Sequence, residues 1–200
     1  MHNTKVMLSS GELALAADKN VILTKRKVIQ TVEHLFAEQI PTIQLLFAPV
    51  FADFEPLLSA TPKIFKGENY EGFPYVMLDY PAHFSKNNVA AVRTMFWWGH
   101  AFSITLHLKG DYKIAFEQNL IKNKLLGQNN VWVCINEKEW EHHFEPTNYI
   151  IASTINATQK VALQHQKFLK IAVQFPISTN KNISQLLEEA YQQMAELLKP

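Results

Sequence analysis

Residues able to take part in recognition or chemistry are concentrated in two runs, NYEGFPYVMLDYP and RTMFWWGHAFSITLHL. Together the runs hold many aromatic rings, two histidines, one arginine and one aspartate, which is the kind of set that a pocket with a few placed polar groups needs. The candidate ligand-binding residues are Tyr75, Asp79, Arg93, Trp97, Trp98, His100 and His107. The competing interpretation is that the large rings belong to the core or to an interface, and that His107 is a solvated or hydrogen-bonded residue.

Arg93 is the most informative of these positions. On a strand it lies on the same face as Met95 and Trp97, because side chains alternate between the two faces. A guanidinium buried there without a partner is costly, so it must find a carboxylate, reach solvent or hold an anionic ligand. Asp79 on the preceding strand is the nearest candidate partner. We expect a structural ion pair in preference to anion recognition.

An enzyme site is the alternative use of the same residues. His100 or His107 would act as the base, Asp79 would orient it, and Arg93 would anchor an anion. The sequence contains no glycine-rich phosphate loop, no His-Glu-x-x-His, no Cys-x-x-Cys and no Gly-x-Ser-x-Gly, which are the spacings that identify known mechanisms. No catalytic residue is assigned, and both interpretations stay open.

The run EKEWEHHFE is a candidate metal site. Its pairs Glu139 with His143 and Glu141 with Glu145 are four residues apart, and this spacing places both members on one helical face, where they could share an ion. A metal site needs a third and a fourth ligand, and the sequence supplies none nearby. We therefore expect a solvated acidic turn, with no metal and no cofactor.

Alternating apolar and polar residues predict three strands, over residues 73–80, 89–98 and 101–108. Residues 99–100, a glycine and a histidine, separate the last two and fit a two-residue type II′ turn. Trp98 would then lie opposite Ala101. Arg93 would share an apolar face with Leu106, since a two-residue loop fixes the register.

Helices are indicated where apolar residues recur every three or four positions. They are expected from Thr24 to Pro41, from Asp111 to Leu126 and from Ile183 to Leu198. Further strands are expected over residues 131–135, 148–155 and 167–175, and the proline-rich stretch 41–72 is expected to form loops and broken helical turns. Consecutive strands joined by a tight turn favour an α+β fold, with a largely antiparallel sheet of five or six strands and helices packed on one face.

Composition limits the class of protein. The 200 residues carry a net charge of +1, and 48% of them are hydrophobic. This length suits a single globular domain over residues 1–200, and the balanced charge argues against a nucleic-acid partner. The longest apolar run, residues 45–52, is too short to span a bilayer. One cysteine gives no sign of an oxidising compartment, so we expect a cytoplasmic protein without a membrane partner.

The runs ENYEGFPYVMLDYP, RTMFWWGHAFSITLHL and ILTKRKVIQTVEHLF resemble an uncharacterised family of small bacterial proteins. The resemblance extends over most of the chain. It implies a bacterial, free-standing protein of one domain, and it brings no activity, substrate or site residue with it.

These observations favour a non-catalytic domain that binds a small-molecule ligand or a partner through the aromatic strands of residues 73–108. Trp97 and Trp98 are adjacent, so their rings must point to opposite faces of the strand. At least one ring can therefore lie outside the main core, as a pocket floor or as the contact of a homodimer. A cavity that contains Arg93 together with His100 or His107 would favour the enzyme instead.

Overall fold

The computed structural model describes residues 7–123, 127–178 and 181–199. The helices are α1 (Ser10–Ala17), α2 (Lys19–Phe47), α3 (Glu55–Leu58), α4 (Asp111–Lys122), α5 (Ala157–His165) and α6 (Ile183–Leu198). The strands are β1 (Lys63–Tyr70), β2 (Phe73–Phe84), β3 (Val89–Trp97), β4 (Ala101–Lys109), β5 (Val131–Cys134), β6 (Tyr149–Ile151) and β7 (Phe168–Pro176). A 3₁₀ turn, Ala152–Thr154, follows β6.

The seven strands of the described residues form one sheet in the order β1-β2-β3-β4-β7-β5-β6, and every neighbouring pair is antiparallel. Helices α2, α4 and α6 pack on one face of this sheet. The α+β class is therefore confirmed, with seven strands where five or six were predicted. The additional strand is β1, an edge strand whose sequence KIFKGENY has too few apolar residues to alternate.

Helix α2 passes through Pro41, where the sequence predicted its end. A proline in a helix interior costs about 3 kcal/mol, because it removes a hydrogen bond and crowds the preceding turn. Ile43 and Phe47, which follow the proline, are fully buried, and burial of such side chains stabilises by about 1.5–3 kcal/mol each. Burial of these two side chains therefore offsets the cost of the proline, and the helix continues beyond it. The prediction of loops and broken turns is wrong for the rest of α2 and for β1.

The main core lies between the sheet and the helices. Helix α6 begins and ends at the predicted residues, and its cap Asn182 accepts a hydrogen bond from the Ser184 N–H at 2.9 Å. Tyr191 of α6 is fully buried, and its hydroxyl lies 2.5 Å from the Thr94 hydroxyl of β3, so both polar groups are satisfied. In the described residues no helix combines the length and the apolar character needed to cross a bilayer.

The β3–β4 hairpin has a three-residue loop, so the predicted two-residue turn is wrong. Trp97 lies opposite Ala101, and the chain reverses through residues 98–100. Gly99 has φ of 76°, a conformation that residues with a Cβ rarely adopt. The predicted register is therefore displaced by one residue, which moves every β4 side chain to the other face relative to β3. Arg93 lies opposite Thr105, and Leu106 lies on the helix-covered face.

The face of the sheet opposite to the helices is covered by residues 135–148, here called the strap. The strap contains no helix and no strand. It joins β5 to β6 and corresponds to the stretch predicted as a solvated acidic turn. That prediction is wrong for its central part, because Glu139 and His143 keep only 15% and 12% of their side chains exposed.

Candidate functional site

Arg93 and Asp79 form a buried ion pair on the strap-covered face. They are direct partners across β2 and β3. The guanidinium donates through Nε to Asp79 Oδ1 at 2.7 Å and through Nη2 to Oδ2 at 2.8 Å, while Nη1 lies 3.1 Å from His142 Nε2. All three nitrogens of the guanidinium are engaged. The expected structural pair is present, and these contacts use three of the five N–H donors of Arg93.

His142 is held in one protonation state by this contact. Because Arg93 is always a donor, His142 Nε2 must accept, and the neutral ring therefore carries its proton on Nδ1. Burial lowers the pKa of His142 well below its ordinary range, and the positive charge of Arg93 lowers it further. The ring is neutral at physiological pH.

His107 lies on the same face but is covered. It is 5% exposed, and its ring contacts Trp140 and Phe168 at centroid distances of 5.2 and 5.7 Å. Burial lowers its pKa well below the ordinary range, and the charge of Lys170 contributes next. His107 Nε2 lies 3.2 Å from Glu139 Oε1, yet the two atoms form no hydrogen bond. The neutral ring and this geometry together mean that the contact is not an ion pair.

The buried state of His107 predicts that acid destabilises the protein. In the unfolded chain the ring takes up a proton as the pH falls below its ordinary pKa of 6.5, whereas the folded ring does so only at a much lower pH. Stability is therefore complete above that value and declines below it, by about 1.4 kcal/mol per pH unit for this one group.

The measurement is urea denaturation at a series of pH values, from which the free energy of unfolding is extrapolated. The substitution His107→Gln should reduce the slope of this free energy against pH between about pH 6.5 and 5. His34→Gln, at an exposed position of α2, is the matched control and should leave the slope unchanged. An unaltered slope in the His107 variant would contradict the neutral buried state.

Polar side chains of the sheet hold the strap in place. Lys170 of β7 is 1% exposed, and its ammonium donates to the backbone oxygens of Glu139 and Glu141 at 3.0 and 2.6 Å. Burial lowers the pKa of Lys170 to about 8. In the next two residues of the strap, the backbone N–H groups of His142 and His143 donate to the Tyr70 hydroxyl at 2.7 and 3.1 Å. The strap is therefore fixed by backbone contacts on both sides of its centre.

A cavity of about 280 Å³ opens where the strap leaves the sheet near the β3–β4 loop. Trp97 and His100 form one wall, with their rings parallel and their centroids 3.5 Å apart. The Trp97 indole N–H donates to the Tyr70 carbonyl at 3.2 Å, which holds this wall against β1. The remaining lining residues are Met95, Ala101, Ser103, His142, Phe144, Glu145 and Gln174.

The structure thus separates the predicted site residues into groups. Trp97 and His100 line the cavity, whereas Asp79, Arg93 and His107 lie beneath the strap and do not. Tyr75 is on the strap-covered face, with its ring centroid 6.4 Å from that of Tyr70. Trp98 is the one predicted site residue that lies away from the strap-covered face. It points to the helix-covered face and packs there against Phe96.

Sequence reasoning missed Ser103, His142, Phe144, Glu145 and Gln174. Ser103 lies on the strap-covered face of β4, whereas the predicted register placed it on the opposite face from Arg93. The strap residues belong to the run EKEWEHHFE, in which helical spacing predicts other pairings. Their approach to β3 depends on contacts from Tyr70 and Lys170, which are far away in the sequence.

A larger cavity, of about 360 Å³, lies on the helix-covered face between α4, α5, β5 and β7. Its Lys113 is already committed to the carbonyls of Gln164 and Gln166, at 2.7 and 2.8 Å. Its lining includes Asn123 and Gly127, which flank residues 124–126, and those three residues are outside the described part of the chain. The cavity beside the strap is the candidate functional site, because the predicted site residues Trp97 and His100 line it together with several polar side chains.

Comparison with protein-family models, with curated proteins and with solved structures gives no match. The resemblance to small bacterial proteins stays an expectation, and the site has to be interpreted from its own geometry.

Proposed function

We propose that this protein binds a small planar molecule carrying N–H donors in the cavity beside the strap. The observation that carries the proposal is Ser103, which is only 7% exposed, lines the cavity and has no hydrogen-bond partner among the described residues. Its Oγ is not among the fully buried polar atoms without a partner, so the hydroxyl is accessible from the cavity. A polar ligand group placed in the cavity can hydrogen-bond to it.

The walls favour a planar ring. His100 lies flat on the Trp97 indole. It is an exposed residue at the tip of the hairpin, where the ring of Phe73 makes an edge-type contact with it at a centroid distance of 4.8 Å. A flat heteroaromatic ligand can extend this stack, since offset stacking of rings contributes about 0.5–1.5 kcal/mol beyond the area it buries. Phe144 of the strap provides an apolar surface within the same cavity.

The polar groups favour donors over acceptors on the ligand. Among the described residues of the lining, Glu145 is the one acidic side chain and there is no Lys or Arg; its carboxylate can only accept hydrogen bonds. The amide of Gln174 and the hydroxyl of Ser103 can accept as well. The nearby cation, Arg93, is neutralised by Asp79 and does not line the cavity. Neutral or cationic ligands bearing amine or amide groups are therefore favoured over anions.

The geometry supports binding more than catalysis. A general base must reach the proton it removes, directly or through one water. His107 is covered by Trp140 and Phe168, and both oxygens of Asp79 accept from Arg93. Of the four residues in the enzyme alternative, only His100 lines the cavity.

The test is a titration with adenine, nicotinamide and benzoate, followed by NMR of the tryptophan indole N–H groups. The chain has four tryptophans, and a Trp97→Phe variant assigns the signal of interest. Adenine or nicotinamide should shift the Trp97 signal, and benzoate should not. Ser103→Ala should weaken binding by about three- to tenfold, which is the loss of one hydrogen bond.

The control variant is Ser59→Ala, at an exposed serine whose hydroxyl bonds within α3, and it should bind as the parent protein does. If neither planar probe moves the Trp97 signal, or if Ser103→Ala binds with unchanged affinity, the proposed site is wrong.

A further inference from the structure

We propose that Glu71, Glu141 and His143 form a binding site for a divalent transition-metal ion, separate from the cavity. One potential ligand atom from each side chain lies within 4.8 Å of the others. Glu71 belongs to the turn between β1 and β2, and the other two residues belong to the strap. The fold thus supplies from a distant segment the third ligand that the run EKEWEHHFE lacks.

Charge in this cluster points to a cation. Two carboxylates converge on one point, and like charges so close together are mutually unfavourable. The described residues offer Glu71 no ion pair, and the lysine near Glu141 is Lys138, whose side chain is 77% exposed at an Nζ–Oε1 distance of 3.7 Å. Such an exposed contact compensates little. A divalent ion would balance both carboxylates at once.

Tyr70 brings the two segments together. Its hydroxyl accepts from the backbone N–H groups of His142 and His143, and Glu71 is the next residue along the chain. The distance between the Glu71 and His143 backbones is therefore set by one tyrosine side chain. Tyr70 is a positioning residue for the site and does not itself supply a ligand.

The donor set selects the class of metal. Two carboxylates and one imidazole suit Zn²⁺ or Mn²⁺, whereas Mg²⁺ and Ca²⁺ prefer oxygen ligands throughout. Ligand atoms around a tetrahedral Zn²⁺ with bonds of about 2.0–2.2 Å lie closer together than the present cluster. Glu71 is exposed and can move inward. Three protein ligands leave at least one position of the ion open to water.

Binding has one identifiable cost. His143 Nε2 is the ring atom that faces Glu141, and it lies 3.7 Å from Glu141 Oε2. If the metal binds at Nε2, the proton of the neutral ring must be on Nδ1. His143 Nδ1 now accepts a hydrogen bond from the Glu145 N–H at 3.3 Å, and this bond would be lost. It is one long, neutral hydrogen bond, and two charged ligands meeting a divalent ion outweigh it.

The pairing expected from the sequence is not the one that forms this site. Glu139 is four residues before His143, but its carboxylate pairs with Lys109 at 2.8 Å. The i,i+4 spacing has no meaning in the strap, because the strap is not helical. Glu141 takes the place of Glu139 beside His143.

The experiment is calorimetric titration of the metal-free full chain with Zn²⁺ alone, and separately with Mg²⁺. We expect one equivalent of Zn²⁺ to bind with micromolar affinity and Mg²⁺ to bind far more weakly. Glu71→Gln and His143→Gln should each weaken Zn²⁺ binding by at least about tenfold. Substitution of Co²⁺ should give an absorption spectrum that changes in the Glu71 variant.

Glu137→Gln is the matched control, since Glu137 is an acidic residue of the strap outside the cluster. Its affinity should equal that of the parent chain. Circular dichroism of each variant checks folding, and the exposed Glu71 keeps the test usable if the His143 variant is unstable. Absence of Zn²⁺ binding, or equal binding by all three variants, would overturn the proposal. Neither result bears on the planar-ligand cavity, whose probes contain no metal.

Discussion

Replacement of Asp79 by alanine is expected to lower the free energy of unfolding by about 3–5 kcal/mol. Asp79 is 4% exposed, and it accepts two of the hydrogen bonds that Arg93 donates. Its removal leaves a guanidinium beneath the strap with His142 as its remaining polar contact. An unpaired buried charge of this kind costs more than the pair itself contributes.

The double variant Asp79→Leu with Arg93→Met distinguishes the cost of an unpaired buried charge from the contribution of the ion pair itself. Apolar residues of similar volume avoid the burial of charge, so most of the lost stability should return. Recovery should stop short of the parent value, because His142 Nε2 loses its donor, and an unsatisfied buried acceptor costs about 1–3 kcal/mol. Urea denaturation with linear extrapolation gives all three free energies on one scale.

Glu33→Ala provides the comparison at the surface. It breaks the ion pair with Lys66, which is half exposed at the lysine end, and an exposed pair contributes about 0–1 kcal/mol. If Asp79→Ala were no more destabilising than Glu33→Ala, the guanidinium would have to reach water beneath the strap. The assignment of this pair as a structural support for the site would then be wrong.

The ion pair was predictable from the sequence, whereas its surroundings were not. Side chains alternate between the two faces of a strand, which predicts that Arg93, Met95 and Trp97 share one face of β3. The structure has all three on that face. The facing residues of β4 depend on where the loop begins, which the periodicity does not determine. One additional loop residue exchanges Leu106 for His107 on that face.

Long-range contacts explain the rest of what the sequence could not show. Helix α6 has a strong apolar stripe and a clear cap, so local information defines it. The strap has no period, and its path depends on Lys170, Tyr70 and Lys109, each on a different strand. A run of charged residues is ordinarily a solvated surface. Here the sheet presents buried donors and acceptors to that run, so its backbone is held against the sheet.

Replacement of Lys170 by methionine is expected to free the strap while changing global stability much less. The substitution keeps an unbranched side chain, but it leaves the Glu139 and Glu141 carbonyls without the ammonium that now donates to both. Hydrogen bonds from a charged donor contribute about 1.5–3 kcal/mol each. The variant also no longer buries a charge, which offsets part of this loss. Lowering of the Lys170 pKa from 10.5 to about 8 corresponds to a burial cost of about 3 kcal/mol.

Hydrogen exchange of the His142 and His143 amides measures the local effect, because both donate to the Tyr70 hydroxyl and exchange only when the strap lifts. We expect their exchange to accelerate by on the order of 100-fold in Lys170→Met, equivalent to about 3 kcal/mol of local stability. Lys109→Met is the control: Lys109 bonds only the Glu139 side chain of the strap, and a much smaller change is expected. Amides paired between β3 and β4 should follow only the global free energy in both variants. Equal acceleration of strap and sheet amides in Lys170→Met would mean that the strap does not open separately, and that Lys170 supports the whole fold instead.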